Sequence, residues 1–196
     1  MDSQDFKRED LIEIRKKLKK ALPEKRYEHS IGVEYTSACL AMAHGTDILK
    51  AEIAGLVHDC AKHFTDKELI RLCGDAGIKL TDSQLAAPQV LHAVYAPVLA
   101  RKEYFIDDGE ILSAIRWHTT GKADMNLLDM IVYTADYIEP SRKKLEGIDE
   151  LRELAFTDIK LCVYRITENT IKYLNEKGIE IDETTLQCYD WIKKEV

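Results

Sequence analysis

Apolar residues recur at three- and four-residue spacing along most of this chain, the period of helices that each bury one face. Leu11, Ile14 and Leu18 make one such stripe on a first helix. Pro23 suits the first position of a second helix running towards Gly45, with Ile31, Tyr35, Ala38 and Met42 inward. A third begins near Asp47, a natural N-cap, and carries Ile53, Leu56 and Val57. "TDKELIRLCGDAG" has its own cap at Thr65 and a glycine stop. The pattern predicts further helices over 91–103, 109–118, 127–138, 158–176 and 185–194. No run alternates long enough to argue for a strand, and there is no repeat, low-complexity tract or linker. The expectation is an all-α, single-domain bundle spanning 1–196, of roughly eight to ten helices by typical helix and loop lengths. Its core lies at about 20–140, with C-terminal helices over 148–196 packed on it.

Composition narrows the function. With 196 residues the chain fits one domain and can bury a core without disulfides or a structural metal. A net charge of -7 gives no basic footprint for nucleic acid, and no polybasic run suggests an anionic membrane surface. Apolar runs fall short of the roughly 18 residues a spanning helix needs. The five cysteines are scattered without a C-x-x-C pair, and the start "MDSQDFKRED" is charged. Together these predict a reduced, cytoplasmic protein.

Against this bland background several polar residues stand in the wrong places. Of the six histidines, four lie in or beside apolar helical segments: "RYEHSIGV", "GLVHDCAK", "QVLHAVYA" and "AIRWHTTG". One such histidine is ordinarily a core residue satisfied by a carbonyl. Four on separate helices each need a partner, and one shared metal or phosphate site would satisfy several. The His58-Asp59 pair is weak alone, but adjacent helical residues point about 100° apart, so both can reach one ion beside the helix. Imidazole with carboxylate favours a borderline divalent ion such as Fe(II), Mn(II), Co(II) or Zn(II).

Asp136, in "LLDMIVYTADYIEPSR", reads equally as a surface or capping carboxylate and as a ligand. Asp129, nearer the helix start, reads as a solvated carboxylate. Glu139-Pro140 ends that helix, leaving Arg142 just beyond it, available to a phosphate. Lys62 is either a solvated helix-end cation or a phosphate clamp. Cys60 reads as a small packing residue, and His44 and His63 carry no assigned role.

"RYEHSIGV", "HDCAK", "VLHAVYAP", "AIRWHTTG" and "YTADYIEPSR" stand in the order found in HD-domain phosphohydrolases. The last two resemble the YqeK-like branch, bacterial symmetrical diadenosine tetraphosphatases, over nearly the whole chain from about 11 to 191. The resemblance implies metal ligation by His29, His58, Asp59 and Asp136, with iron as the metal. It implies nucleotide contacts from Arg26, Asp59, Cys60, Ala61, Lys62, His92, His118, Asp136, Tyr137 and Arg142. It extends these to the loop of Glu180, Ile181, Asp182, Glu183, Thr184 and Thr185, where the sequence departs most from the family. It also implies cleavage of a dinucleoside polyphosphate into two ADP, with Asp59, Lys62, His92 and His118 in catalysis. His92 and His118 could bind phosphate, protonate the leaving group or hold a second metal. A homodimer is expected. Another nucleotide substrate, or a silent nucleotide-binding signalling module, are the rival readings.

Overall fold

In the computed structural model, which describes residues 6–142 and 147–196, the buried stripe of Leu11, Ile14 and Leu18 does organise the first helix, α1 (Arg8–Ala21). Two buried carboxylates fasten α1 to the helices beneath it. Arg15 Nε donates to Glu34 Oε1 at 2.9 Å, and Arg8 Nη1 reaches Glu52 at 2.5 Å.

The second helix, α2 (Glu24–His44), corrects two expectations. Pro23 is its N-cap, one position before the helix proper. Tyr35 and Met42 are 52% and 60% exposed rather than inward, Ile31 is only half-buried, and the buried face holds His29, Ser30, Val33, Ser37 and Ala41. The cause lies in α3 (Ile48–Val57), which approaches α2 at Gly55. A Cβ placed there would lie 2.7 Å from Ser37 Oγ and 2.9 Å from Val33 O. Such close contact selects small side chains such as Ser37 where α2 meets Gly55, while the buried bulky residues of α2, among them Glu34 and Leu40, lie at other positions.

Asp47 caps α3 by accepting from Lys50 N at 2.9 Å, and every residue from Ala51 to Val57 is buried. The helix ends at Val57. His58 is its C-cap, and turns follow, so His58, Asp59 and Lys62 sit in the turns beyond the helix rather than in its last turn.

The predicted cap at Thr65 opens α4 (Asp66–Asp75), where it closes a capping box with Glu68. A short α5 (Asp82–Ala86) and a 3-10 turn at Pro88–Val90 lead into α6 (Leu91–Tyr104). Then come α7 (Gly109–Trp117), α8 (Leu127–Ile138), α9 (Ile148–Thr157), α10 (Ile159–Lys177) and α11 (Glu183–Ile192). The described residues thus hold eleven α-helices, above the expected eight to ten, and no strand. The helices missing from the periodicity are α5, too short to show a period, and α9.

Asp129 is another correction. It is fully buried under α7, closing a capping box with Asn126 and lying 3.3 Å from Lys122 Nζ. Burial raises its pKa above the ordinary carboxylate value.

One hydrophobic cluster runs from Leu11 to Ile192 and includes Ile159, Val163 and Ile166 of α10, so the C-terminal helices share the core. All five cysteines are free, and only Cys39 is exposed. Among the described residues no helix is long and apolar enough to cross a membrane.

Candidate active site

Helix ends converge on one spot. His29 comes from the second turn of α2, His58 and Asp59 from the end of α3 and the turn beyond, and His92 from the start of α6. His118 caps the C-terminus of α7, and Asp136 lies in the last turns of α8. All four imidazoles are buried, at 7%, 0%, 3% and 2% exposure in that order.

Asp59 is the centre. Its Oδ2 lies 3.5 Å from His58 Nε2 and 3.9 Å from His29 Nε2. Its Oδ1 lies 3.2 Å from His92 Nε2 and 3.5 Å from His118 Nε2. Asp136 Oδ1 closes the first pair, 2.9 Å from His29 Nε2 and 3.7 Å from His58 Nε2.

The outer ring nitrogens fix how the imidazoles face. His58 Nδ1–H donates to Gly55 O at 2.6 Å, and His118 Nδ1–H to Ile115 O at 2.8 Å. His29 Nδ1–H donates to Glu139 Oε1 at 2.9 Å. Each Nε2 of these three therefore presents a lone pair inward. His92 is different: Lys62 Nζ donates to its Nδ1 at 3.0 Å, which leaves Nε2–H to face Asp59.

The titration shifts follow from this crowding. Burial pushes the Asp59 carboxyl up, but the imidazoles of His58, His118 and His92 outweigh it and hold the group well below the carboxylate range. Asp136 is likewise depressed against burial by His29, His58 and Arg142. Burial lowers His58 and takes His92 down to about 4. His29 goes the other way, because Asp136 and Glu139 overcome its burial. Burial also lowers Lys62.

The donor set fits a divalent transition metal. The Nε2 atoms of His29 and His58 are fully buried without an aligned hydrogen-bond partner, with Asp136 Oδ1 2.9 Å from that of His29. This is costly for two polar atoms unless a cation takes their lone pairs: a metal or, on His29 when no metal is bound, a proton. His29, His58 and Asp59 offer ligand atoms within 4.8 Å of one another, as do His58, His118 and Asp136, and Asp59, His92 and His118. Imidazole and carboxylate together suit Fe, Mn, Co or Zn and leave positions open for water and phosphate.

The cluster opens on a cleft of about 750 Å³ with Lys25, Arg26, Lys62 and Arg142 among its walls. Arg26 pairs with Asp59 Oδ2 at 2.7 Å, and Arg142 with Asp136 Oδ1 at 2.5 Å. On the far side of Lys62 lies a second cavity of about 380 Å³, with Phe64, Gln89 and His92.

Not every expected residue joins them. The Cys60 and Ala61 side chains are fully buried, with Cys60 Sγ against Ala96 O at 3.7 Å, so only their backbone could meet a ligand. Tyr137 is half-buried and its hydroxyl bonds Asn169 of α10, away from the cluster. In the loop before α11, Asp182 caps Thr184 N at 3.0 Å and accepts from Ser83 Oγ at 3.2 Å, while Thr185 is buried. Glu180 O accepts from Gln89 Nε2 at 2.9 Å, which sets this loop, with Ile181 and Glu183, beside the second cavity rather than in the cluster.

Two participants went unread in the sequence. Glu139 looked like a helix stop, and its burial to 1% exposure has no local signal. Thr119, within "WHTTG", brings Oγ1 2.9 Å from His118 Nε2 and 3.2 Å from His92 Nε2.

This helical scaffold with its His and Asp cluster is that of the HD domain, whose family model matches residues 26–141; the chain belongs to that family. Among its relatives is the symmetrical bis(5'-nucleosyl)-tetraphosphatase of Bacillus subtilis, 37% identical over 177 residues that cover 89% of this chain and 93% of that protein. The enzyme of the same description from Halalkalibacterium halodurans is 39% identical over 173 residues, 88% of this chain and 91% of the relative. The crystal structure of a predicted HD superfamily hydrolase involved in NAD metabolism from Clostridium acetobutylicum superposes with a TM-score of 0.91. It is 39% identical, and the match covers 94% of this chain and 97% of the other.

Proposed function

We propose that this chain hydrolyses diadenosine tetraphosphate symmetrically, giving two ADP. The observation that carries the reading is the two-sided Asp59: one oxygen faces His29 and His58, the other His92 and His118, beside a cleft that His29 lines together with Lys25, Arg26, Lys62 and Arg142. Relatives described as symmetrical bis(5'-nucleosyl)-tetraphosphatases support the substrate. A divalent metal held by His29, His58, Asp59 and Asp136, with iron first and Mn, Co or Zn as alternatives, would supply a bound water acidic enough to attack phosphorus near neutral pH.

The chain's own groups do the rest. Lys62, Arg26 and Arg142 neutralise the polyphosphate, which an acidic protein would otherwise repel. His92, with Nε2–H inward, and Thr119 donate to phosphate oxygens, while His118 presents a lone pair beside them. Lys62 stands between the two cavities, so the bridge can lie across it with one nucleoside on each side, the second beside the loop of Glu180 to Thr185. Leaving-group protonation is the least necessary step, because an ADP phosphate departs readily unaided. The expectation of a cytoplasmic homodimer belongs to the same reading, and light scattering on the purified chain tests the dimer.

Product analysis decides the chemistry. Metal-loaded protein with diadenosine tetraphosphate should yield ADP alone on anion-exchange chromatography; AMP with ATP, or intact substrate, would sink the reading. Asp59→Ala should lose both metal and turnover while circular dichroism stays helical. Running guanosine and mononucleotide substrates alongside separates a different nucleotide preference from a silent site.

A further inference from the structure

Three inward-facing imidazoles are oriented in two ways. His58 and His118 each bond the carbonyl three residues back in their own chain, Gly55 O and Ile115 O, so the helix ends themselves fix them. His29 sits inside α2, where the helix ladder already engages nearby carbonyls, and it needs an outside acceptor. That acceptor is Glu139, 110 residues away in sequence and 1% exposed.

The Glu139 carboxylate is itself held. Ser141 N donates to Oε2 at 2.7 Å and Ser141 Oγ to Oε1 at 2.5 Å. Its side chain lies across Gly32, one turn after His29 on α2. A Cβ at Gly32 would stand 2.5 Å from Glu139 Oε2 and 3.2 Å from Cδ. A glycine in a helix interior costs about 1 kcal/mol against alanine. No left-handed backbone angle requires one here, so the glycine answers to space.

We propose that Glu139 and Gly32 act together as a positioning device for His29: Glu139 holds the ring with its Nε2 lone pair inward, and the bare Gly32 leaves room for Glu139 to do so. This rests on the reading of His29, His58, Asp59 and Asp136 as metal ligands. A carboxylate behind a ligating imidazole fixes its tautomer and raises its basicity, and losing such a partner typically weakens metal binding about 10–100-fold.

The test is a metal affinity. Metal-free protein competes with a chromogenic chelator for Mn(II), with circular dichroism melts confirming that each variant folds. Glu139→Ala and Gly32→Ala should each weaken binding by about 10–100-fold. Glu139→Gln keeps a carbonyl acceptor towards His29 but sets its NH2 against the Ser141 N–H and removes the charge, so it should recover only part of the loss. The double variant should bind no worse than Glu139→Ala alone, because the added methyl would meet only the Cβ at position 139, 3.6 Å away. Losses that add in the double variant, or wild-type affinity in both single variants, overturn the pairing. Should Glu139→Ala fail to fold, Gly32→Ala and Glu139→Gln carry the same comparison. Wild-type protein that takes up no Mn(II), Fe(II) or Zn(II) would instead overturn the reading of the site.

Discussion

His29 and Asp136 meet at 2.9 Å, and that contact makes the metal-free protein sensitive to pH in a definite direction. The His29 pKa is raised in the fold by Asp136 and Glu139 despite burial. The folded chain therefore holds a proton that the unfolded chain releases near the ordinary imidazole value of about 6.5. Stability from this proton is fully present below that value and is lost as pH rises through the raised folded value. A metal ligand must give up the same proton, so binding should release it and tighten with pH over that window. Thermal melts of metal-free protein from about pH 6 to 9 should show this alkaline decline, and Asp136→Asn should flatten it. A flat wild-type profile would remove His29 as the proton holder. His92, lowered to about 4, and His58, also lowered, are neutral in the fold but take protons in the unfolded chain near the ordinary value of about 6.5. They make stability rise with pH there, so the His29 decline is read at the alkaline end of the range.

At the scale of helices, two substitutions should separate stability from site geometry. Arg15→Met leaves Glu34, 0% exposed, without its partner on α1 and should cost about 3–5 kcal/mol in urea unfolding. No site residue lies on α1, so metal affinity should stay within error. Gly55→Ala forces a methyl against Ser37 and Val33 where α2 meets α3, and overpacking should cost about 1–3 kcal/mol. Here metal affinity should fall as well, because Gly55 O also holds His58 Nδ1. Unchanged affinity in Gly55→Ala would show that the α2–α3 contact does not set the ligand geometry. The same junction explains what the sequence could reveal. Helices with a wide apolar stripe or a clear cap, such as α1, α4 and α8, were legible as local patterns. The inner face of α2 was not, because a close helix pair selects serine and glycine, which periodicity counts as surface. His58 and Asp59 could be singled out because they interrupt an apolar run. Glu139 could not, since its reason for burial is a histidine on another helix.

The whole molecule carries a charge of -7, yet the walls of its larger cleft include Lys25, Arg26, Lys62 and Arg142. A polyphosphate approaching this repelling body therefore meets a local cluster of cations at that cleft. Arg26 and Arg142 are partly spent on Asp59 and Asp136, which leaves Lys62 and Lys25 as the cations least committed to carboxylates. Lys62 is half-buried against His92, whereas Lys25 is exposed at the rim, where it can steer ligand without touching the donor set. Exposed charges act across a screening length of about 10 Å at 0.1 M salt, so rim attraction weakens as salt rises, while buried pairs at the floor are less affected. The KM for diadenosine tetraphosphate should accordingly climb between low and physiological salt, with kcat nearly constant. Lys25→Glu should raise KM several-fold at low salt, flatten its salt dependence and leave metal content unchanged by elemental analysis. Lys62→Gln should instead lower kcat by about 100-fold or more, in line with removing one preorganised donor from a reacting centre. Equal effects of the two variants on kcat would mean that Lys25 also reaches the reacting phosphate, and the division between a steering rim and a catalytic floor would fall.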